Sequence, residues 1–147
     1  MNYLTAILLI LPALVLAGEL PNRATSVKAT LLCGTRPYEG AHVYLFRMNT
    51  EDQSQILDSR ITSDSGMIHL EGNTLGRPDN ETTLMPIVRI FHRCGVTDKN
   101  ENLYRRWQFQ IPSEYVNNGR HALKPYNAGS INLELKYPKE KKVTFQP

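Results

Sequence analysis

At 147 residues with a formal net charge of +3, the chain is long enough for one domain built around one core. Its 17 Lys and Arg against 14 Asp and Glu are too balanced for nucleic acid, whose binders concentrate basic residues on one element. Residues 4–17 are almost wholly apolar with no charged side chain, too short to span a bilayer comfortably and too apolar for a surface strand. Val15 and Ala17 suit the −3 and −1 positions of a signal peptidase site. Residues 1–17 therefore read as a secretory signal peptide cleaved near Gly18 or Glu19. An uncleaved anchor would want a basic flank or stop-transfer pattern, and none follows. The mature chain of about 130 residues is expected to be secreted and extracellular.

Beyond that segment, short apolar runs alternate with turn signals and no helical period is sustained. The first strand is expected at 26–33, with Val27, Ala29 and Leu31 on one face. The second is at 41–48, where Val43 and Leu45 oppose Tyr44 and Phe46. A polar loop, 49–54, leads to a third strand at 56–62. Asp64-Ser65-Gly66 then turns the chain into a fourth, 67–72, completing a hairpin. The loop 73–84, rich in Gly, Asn, Pro and Thr, belongs on the surface. The fifth strand is at 85–94. The sixth, 104–111, has the cleanest alternation, with Trp107, Phe109 and Ile111 against Arg106, Gln108 and Gln110. Pro112 to Tyr115 suits one helical turn. A short strand at 123–126 and a last one at 129–136, with Ile131, Leu133 and Leu135 inward, lead into a basic tail, 137–147, expected to be loosely ordered. About seven or eight short strands, apolar on one face, predict an all-β, two-sheet antiparallel sandwich.

Cys33 and Cys94 are an even pair in a chain read as secreted, which suggests a disulfide over two buried thiols. Such a bridge would close a loop of about 60 residues, worth about 4 kcal/mol by chain entropy. Asn80-Glu81-Thr82 is a glycosylation sequon on the long polar loop. Arg89 and Arg93 alternate with Phe91, and Arg106 lies on the next strand. If those strands pair, the arginines share a face with an aromatic, a candidate surface for a carboxylate, a phosphate or an acidic partner. The plainer reading is a solvated face whose charge keeps sheet edges apart. Lys136, Lys139, Lys141 and Lys142 could give weak contact with anionic lipid, or simply solvate the tail. No cofactor or metal is expected, since no pair of His, Cys, Asp or Glu has zinc-ligand spacing. His92 beside Cys94 reads as a partly buried histidine next to a disulfide.

Several segments together resemble the nematode transthyretin-like family. They are Val27-Lys28-Ala29-Thr30-Leu31-Leu32-Cys33-Gly34, then Pro37 and Gly40-Ala41-His42-Val43-Tyr44-Leu45, followed by Thr62-Ser63-Asp64-Ser65-Gly66. After these come Ile90-Phe91-His92-Arg93-Cys94, Ile111-Pro112-Ser113-Glu114-Tyr115-Val116, and Tyr126-Asn127-Ala128-Gly129-Ser130-Ile131-Asn132-Leu133. The resemblance implies a transthyretin-like sandwich over 18–136, a secreted product, a Cys33–Cys94 bridge, and binding in place of catalysis. Many members carry a second cysteine pair that is absent here, which predicts a freer tail. The related 5-hydroxyisourate hydrolase resembles this fold but ends in Tyr-Arg-Gly-Ser, whereas this chain continues Tyr137-Pro138-Lys139-Glu140. His42, His69, His92 and His121 are spread over different segments, while hydrolysis needs a base and a cation at one place. The expectation is a secreted binding or signalling module, with an extracellular protein or small ligand as partner. A divergent hydrolase and a carrier of a small apolar ligand are the alternatives. Carriage in transthyretin uses a channel between subunits, and a monomer is favoured here.

Overall fold

The computed structural model describes residues 21–147. The expected signal peptide lies outside the described residues. Among the described residues, ten strands form two five-stranded sheets. The first sheet is built on β1 (Arg23–Cys33). On one side it pairs with β5 (Met67–Asn73) and β2 (Arg36–Pro37), and on the other with β8 (Asn117–Asn118) and β9 (Tyr126–Asn132). The second sheet has the order β10 (Lys141–Thr144), β7 (Leu103–Gln110), β6 (Ile87–His92), β3 (His42–Phe46), β4 (Ile56–Ile61). The described residues also hold three single 3-10 turns, the last at Ser113–Tyr115 where a helical turn is expected. The sandwich is therefore the one the sequence predicts. One pair departs from the antiparallel rule. β8 runs against β1, the loop after it reverses the chain, and β9 returns parallel to β1.

The core follows from alternation along the strands. Val27 and Leu31 of β1, Val43 and Leu45 of β3, Leu70 of β5 and Val88 and Ile90 of β6 are all fully buried between the sheets. Cys33 at the end of β1 bridges to Cys94 just past β6, with Cα atoms 5.7 Å apart. The expected disulfide is thus present, and it staples one sheet to the other. Trp107 and Phe109 face the core from β7 as expected but are only half-buried. Tyr137 stacks on Trp107 with ring centroids 4.4 Å apart.

Three expectations need correction. First, β4 and β5 are not a hairpin, because they lie in different sheets. The Ser63–Gly66 turn carries the chain across the sandwich. Gly66 donates to Ser63 O at 3.0 Å and accepts from Leu31 N at 2.7 Å. It sits at φ +67°, and a Cβ there would lie 2.4 Å from Leu31 O, so only glycine fits. Second, there is no strand at 123–126, and the last long strand begins at Tyr126 and ends at Asn132. Asn132 Oδ1 caps both Gly34 N and Glu134 N, turning the chain off the sheet. Leu135, expected inward, is 55% exposed. Third, the tail is not loose. Lys141 to Thr144 pair with Arg106 to Leu103 as an edge strand, and Phe145 N donates to Asn102 O at 2.8 Å. Lys141, Val143 and Phe145 recur with period two, a strand pattern that the lysines of the tail hide.

Candidate functional site

The outer face of the second sheet carries the arginines singled out in the sequence. Pairing sets Tyr44 opposite Arg89, Arg89 opposite Gln108, and Phe91 opposite both His42 and Arg106. Cross-strand partners share a face, so Arg89, Phe91 and Arg106 come together as the alternation predicts. Their setting is not a solvated one. Arg89 is 2% exposed, its guanidinium lying 4.3 Å from the centroid of the Phe46 ring. Nε donates to Gln108 Oε1 at 2.9 Å, and Nη1 lies 3.5 Å from Glu51 Oε2. Buried Nη2 has no partner. Burial pushes the Arg89 pKa down, as does the nearby positive charge of Arg106, while Glu51 opposes both.

Arg106 grips the same carboxylate more tightly, Nη2 to Glu51 Oε1 at 2.6 Å and Nη1 to Oε2 at 3.3 Å. That hydrogen bond, with the charges of Arg89, Arg106 and Lys141, holds the Glu51 carboxyl below its ordinary range despite some burial. The Glu51 side chain is itself 75% exposed. Phe91 is half-covered because Phe145 stacks on it at 4.2 Å. Between the arginines and these rings runs an open groove of about 490 Å³.

Arg93 does not join the group. β6 ends at His92, and the Arg93 side chain donates to the carbonyls of Asp98, Asn100 and Leu103, closing the loop between β6 and β7. It also lies over the Tyr104 ring. Its role is to hold that loop.

A second charged cluster lies at one end of the core, and the sequence does not announce it. Arg105, on the inward side of β7, is 8% exposed. It donates to Cys94 O and Leu133 O at 2.7 Å and to Leu135 O at 2.8 Å. Its fork also holds both oxygens of Glu140. His92 lies alongside, Nε2 3.9 Å from Glu140, and its Nδ1 accepts from Cys94 N at 3.2 Å. Burial, then the charge of Arg105, lowers the His92 pKa to about 4 against a partial offset from Glu140.

Between about pH 4 and 6.5 the buried imidazole thus stays neutral in the fold while the unfolded chain takes up the proton. Above pH 6.5 both states are neutral and the stability is fully present. It falls as pH drops from 6.5 toward 4, by about 3 kcal/mol. Denaturant midpoints measured across that window should show this slope, and His92→Gln should flatten it.

The other histidines are elsewhere. His42 faces outward against Tyr104 and Phe145, and its pKa is lowered by burial. His69 on β5 and His121 on the loop before β9 are exposed. The two histidines and a cation that hydrolysis would need are not assembled from these four. Among the described residues, no group of three or more His, Cys, Asp or Glu is placed to hold a metal. Asn80 is exposed on the 3-10 turn Asp79–Glu81, with Thr82 Oγ1 turned back to Asp79 O at 3.2 Å. The four lysines of the tail are exposed.

The profile of the transthyretin-like family matches residues 28–112, a span from within β1 through β7 that carries both cysteines and Arg89, Phe91 and Arg106. The chain belongs to the transthyretin-like family. Transthyretin-like protein 46 of Caenorhabditis elegans is 29% identical over 97% of this chain and 76% of that protein. Transthyretin-like protein 2 of the same animal is 31% identical over 80% of each chain. Transthyretin-like protein 33 is 29% identical over 80% of this chain and 79% of its own. A 9R-lipoxygenase from Cyanothece overlays 76% of this chain on 16% of its own at 13% identity and a TM-score of 0.40, and at that level nothing follows from it.

Within this transthyretin-like sandwich, sequence reasoning finds Arg89, Phe91 and Arg106 but misses their partners. Gln108 and Phe46 were legible, since each follows the outward alternation of its strand. Glu51 was not, because it sits in a loop 55 residues from Arg106 and nothing local links them. Phe145 was hidden in a tail read by its charge.

Proposed function

We propose that this transthyretin-like chain is secreted and works outside the cell as a binding or signalling module, not as an enzyme. Its contact surface is the outer face of the second sheet, around Arg89 and Arg106. The observation that carries this reading is Arg89, a buried cation with an unpartnered nitrogen beside an open aromatic groove. A buried, under-paired charge is costly to stability, and such groups gather where something is to be bound. The face offers forked donors and aromatic walls, the equipment of recognition. The disulfide supports passage through an oxidising compartment.

The test is expression in eukaryotic secretory cells, followed by native mass spectrometry of the medium. The expected product begins near Gly18 or Glu19, is monomeric, carries the disulfide, and bears a glycan that Asn80→Gln removes. Retention in the cell with residues 1–17 intact would overturn the secreted reading. A tetramer that keeps a small molecule would favour the carrier reading in its place.

A further inference from the structure

The groove beside Arg89 holds more information than a general affinity for partners. Three cations, Arg89, Arg106 and Lys141, act on one carboxylate, Glu51. That carboxylate is mostly exposed and sits on the short loop between β3 and β4. It satisfies Arg106 well but reaches Arg89 only at 3.5 Å, leaving Arg89 Nη2 bare. Glu51 therefore fills the anion position incompletely, as an internal stand-in would. Around that position the groove is mixed, with Phe91, Phe145, Ile56 and Val143 on its apolar side and Gln53, Thr144 and Gln146 on its polar side. Its volume of about 490 Å³ falls in the range that encloses small organic ligands.

Resting on the reading of this face as the binding surface, we propose that the groove takes a small organic acid with a flat apolar body. Its carboxylate displaces Glu51 and bridges Arg106 and Arg89, and its body lies against Phe91, Phe145 and Ile56. Planar guanidinium forks match a carboxylate two bonds at a time. A flat ring on aromatic walls gains area and offset stacking. Glu51 competes with the ligand for the same donors, so the resting protein is held partly closed by its own side chain.

Titration calorimetry of the secreted, disulfide-intact protein with 2-naphthoate tests this. The wild-type protein should bind saturably, one ligand per chain. Glu51→Gln should bind about tenfold more tightly, because an internal charged competitor is lost. Arg89→Met and Arg106→Gln should each bind at least about tenfold more weakly. Acetate, which lacks the body, and 2-naphthalenemethanol, which lacks the charge, should both bind far more weakly than naphthoate. A gain in Glu51→Gln cannot come from misfolding, so the proposal stays testable even if Arg89→Met fails to fold.

Naphthoate binding that ignores Glu51 and Arg106, or no binding to either the wild type or Glu51→Gln, overturns the ligand class. Inorganic phosphate and a hexaglutamate peptide run beside it separate the two levels of the argument. If either binds in an Arg106-dependent way while naphthoate does not, the organic-acid proposal falls and the binding face stands. If no probe binds in an Arg106-dependent way, both fall.

Discussion

Replacing Cys33 and Cys94 together by alanine is expected to lower the free energy of unfolding by about 4 kcal/mol. The bridge spans 61 residues of sequence, so its loss frees a long loop in the unfolded chain. In the native state it joins the end of β1 in one sheet to the end of β6 in the other, and Cys94 is buried. The other ties between the sheets at that end include Arg105 and the hydrogen bond from Arg93 N to the Tyr38 hydroxyl at 2.9 Å. A domain of this size has about 5–15 kcal/mol in total, so the double variant should unfold at markedly lower denaturant. The comparison of oxidised and reduced wild-type protein by urea unfolding gives the same quantity without mutation. A change below about 1 kcal/mol would show that the staple is redundant with the packing around it.

Arg105→Met is expected to cost about 3–5 kcal/mol, the range for removing one partner of a buried ion pair. The guanidinium serves the carbonyls of Cys94, Leu133 and Leu135 and both oxygens of Glu140. Methionine fills much of the volume but leaves Glu140 in a largely buried place without its counter-charge. Glu140 also receives Tyr137 N at 3.3 Å, so its loss of anchorage should loosen the Tyr137–Trp107 stack and β10 behind it. Unfolding free energies of Arg105→Met, Glu140→Gln and the double variant form a cycle. The double variant should be less destabilised than the sum of the two single ones. Strict additivity would mean that the pair acts as two independent caps.

These two ties differ in how far the sequence discloses them. The cysteines are visible as an even pair in a chain read as secreted, and the resemblance to the family pairs them. Arg105 is not visible, because Arg105-Arg106 reads as a charged step and the apolar side of the alternation starts at Trp107. Extending that alternation one step back places Arg105 inward, an assignment that a charge normally forbids. It is permitted here because the side chain reaches the end of the core, where carbonyls and Glu140 await it.

The same contrast runs through the fold. Period-two patterns placed the long strands to within a few residues, since apolar burial sets them locally. The β4–β5 corner was misread as a hairpin because a tight turn looks alike whether the chain stays in a sheet or crosses to the other. The candidate site was half legible. Arg89, Phe91 and Arg106 follow from alternation. Arg93 departs because its strand stops at His92, two residues short of the expected end. Glu51 and Phe145 depend on contacts that only the folded chain brings about.

The central claim is that the outer face of the second sheet, around Arg89, is where this chain meets its partner. The most direct test is an amide 1H–15N map of the secreted protein as 2-naphthoate and hexaglutamate are added in turn. The account predicts shifts concentrated at Tyr44, Phe46, Glu51, Arg89, Phe91, Arg106 and Phe145, for whichever probe binds. Shifts gathered instead at the Arg105–Glu140 end of the core, or an unchanged spectrum with both probes, would contradict it.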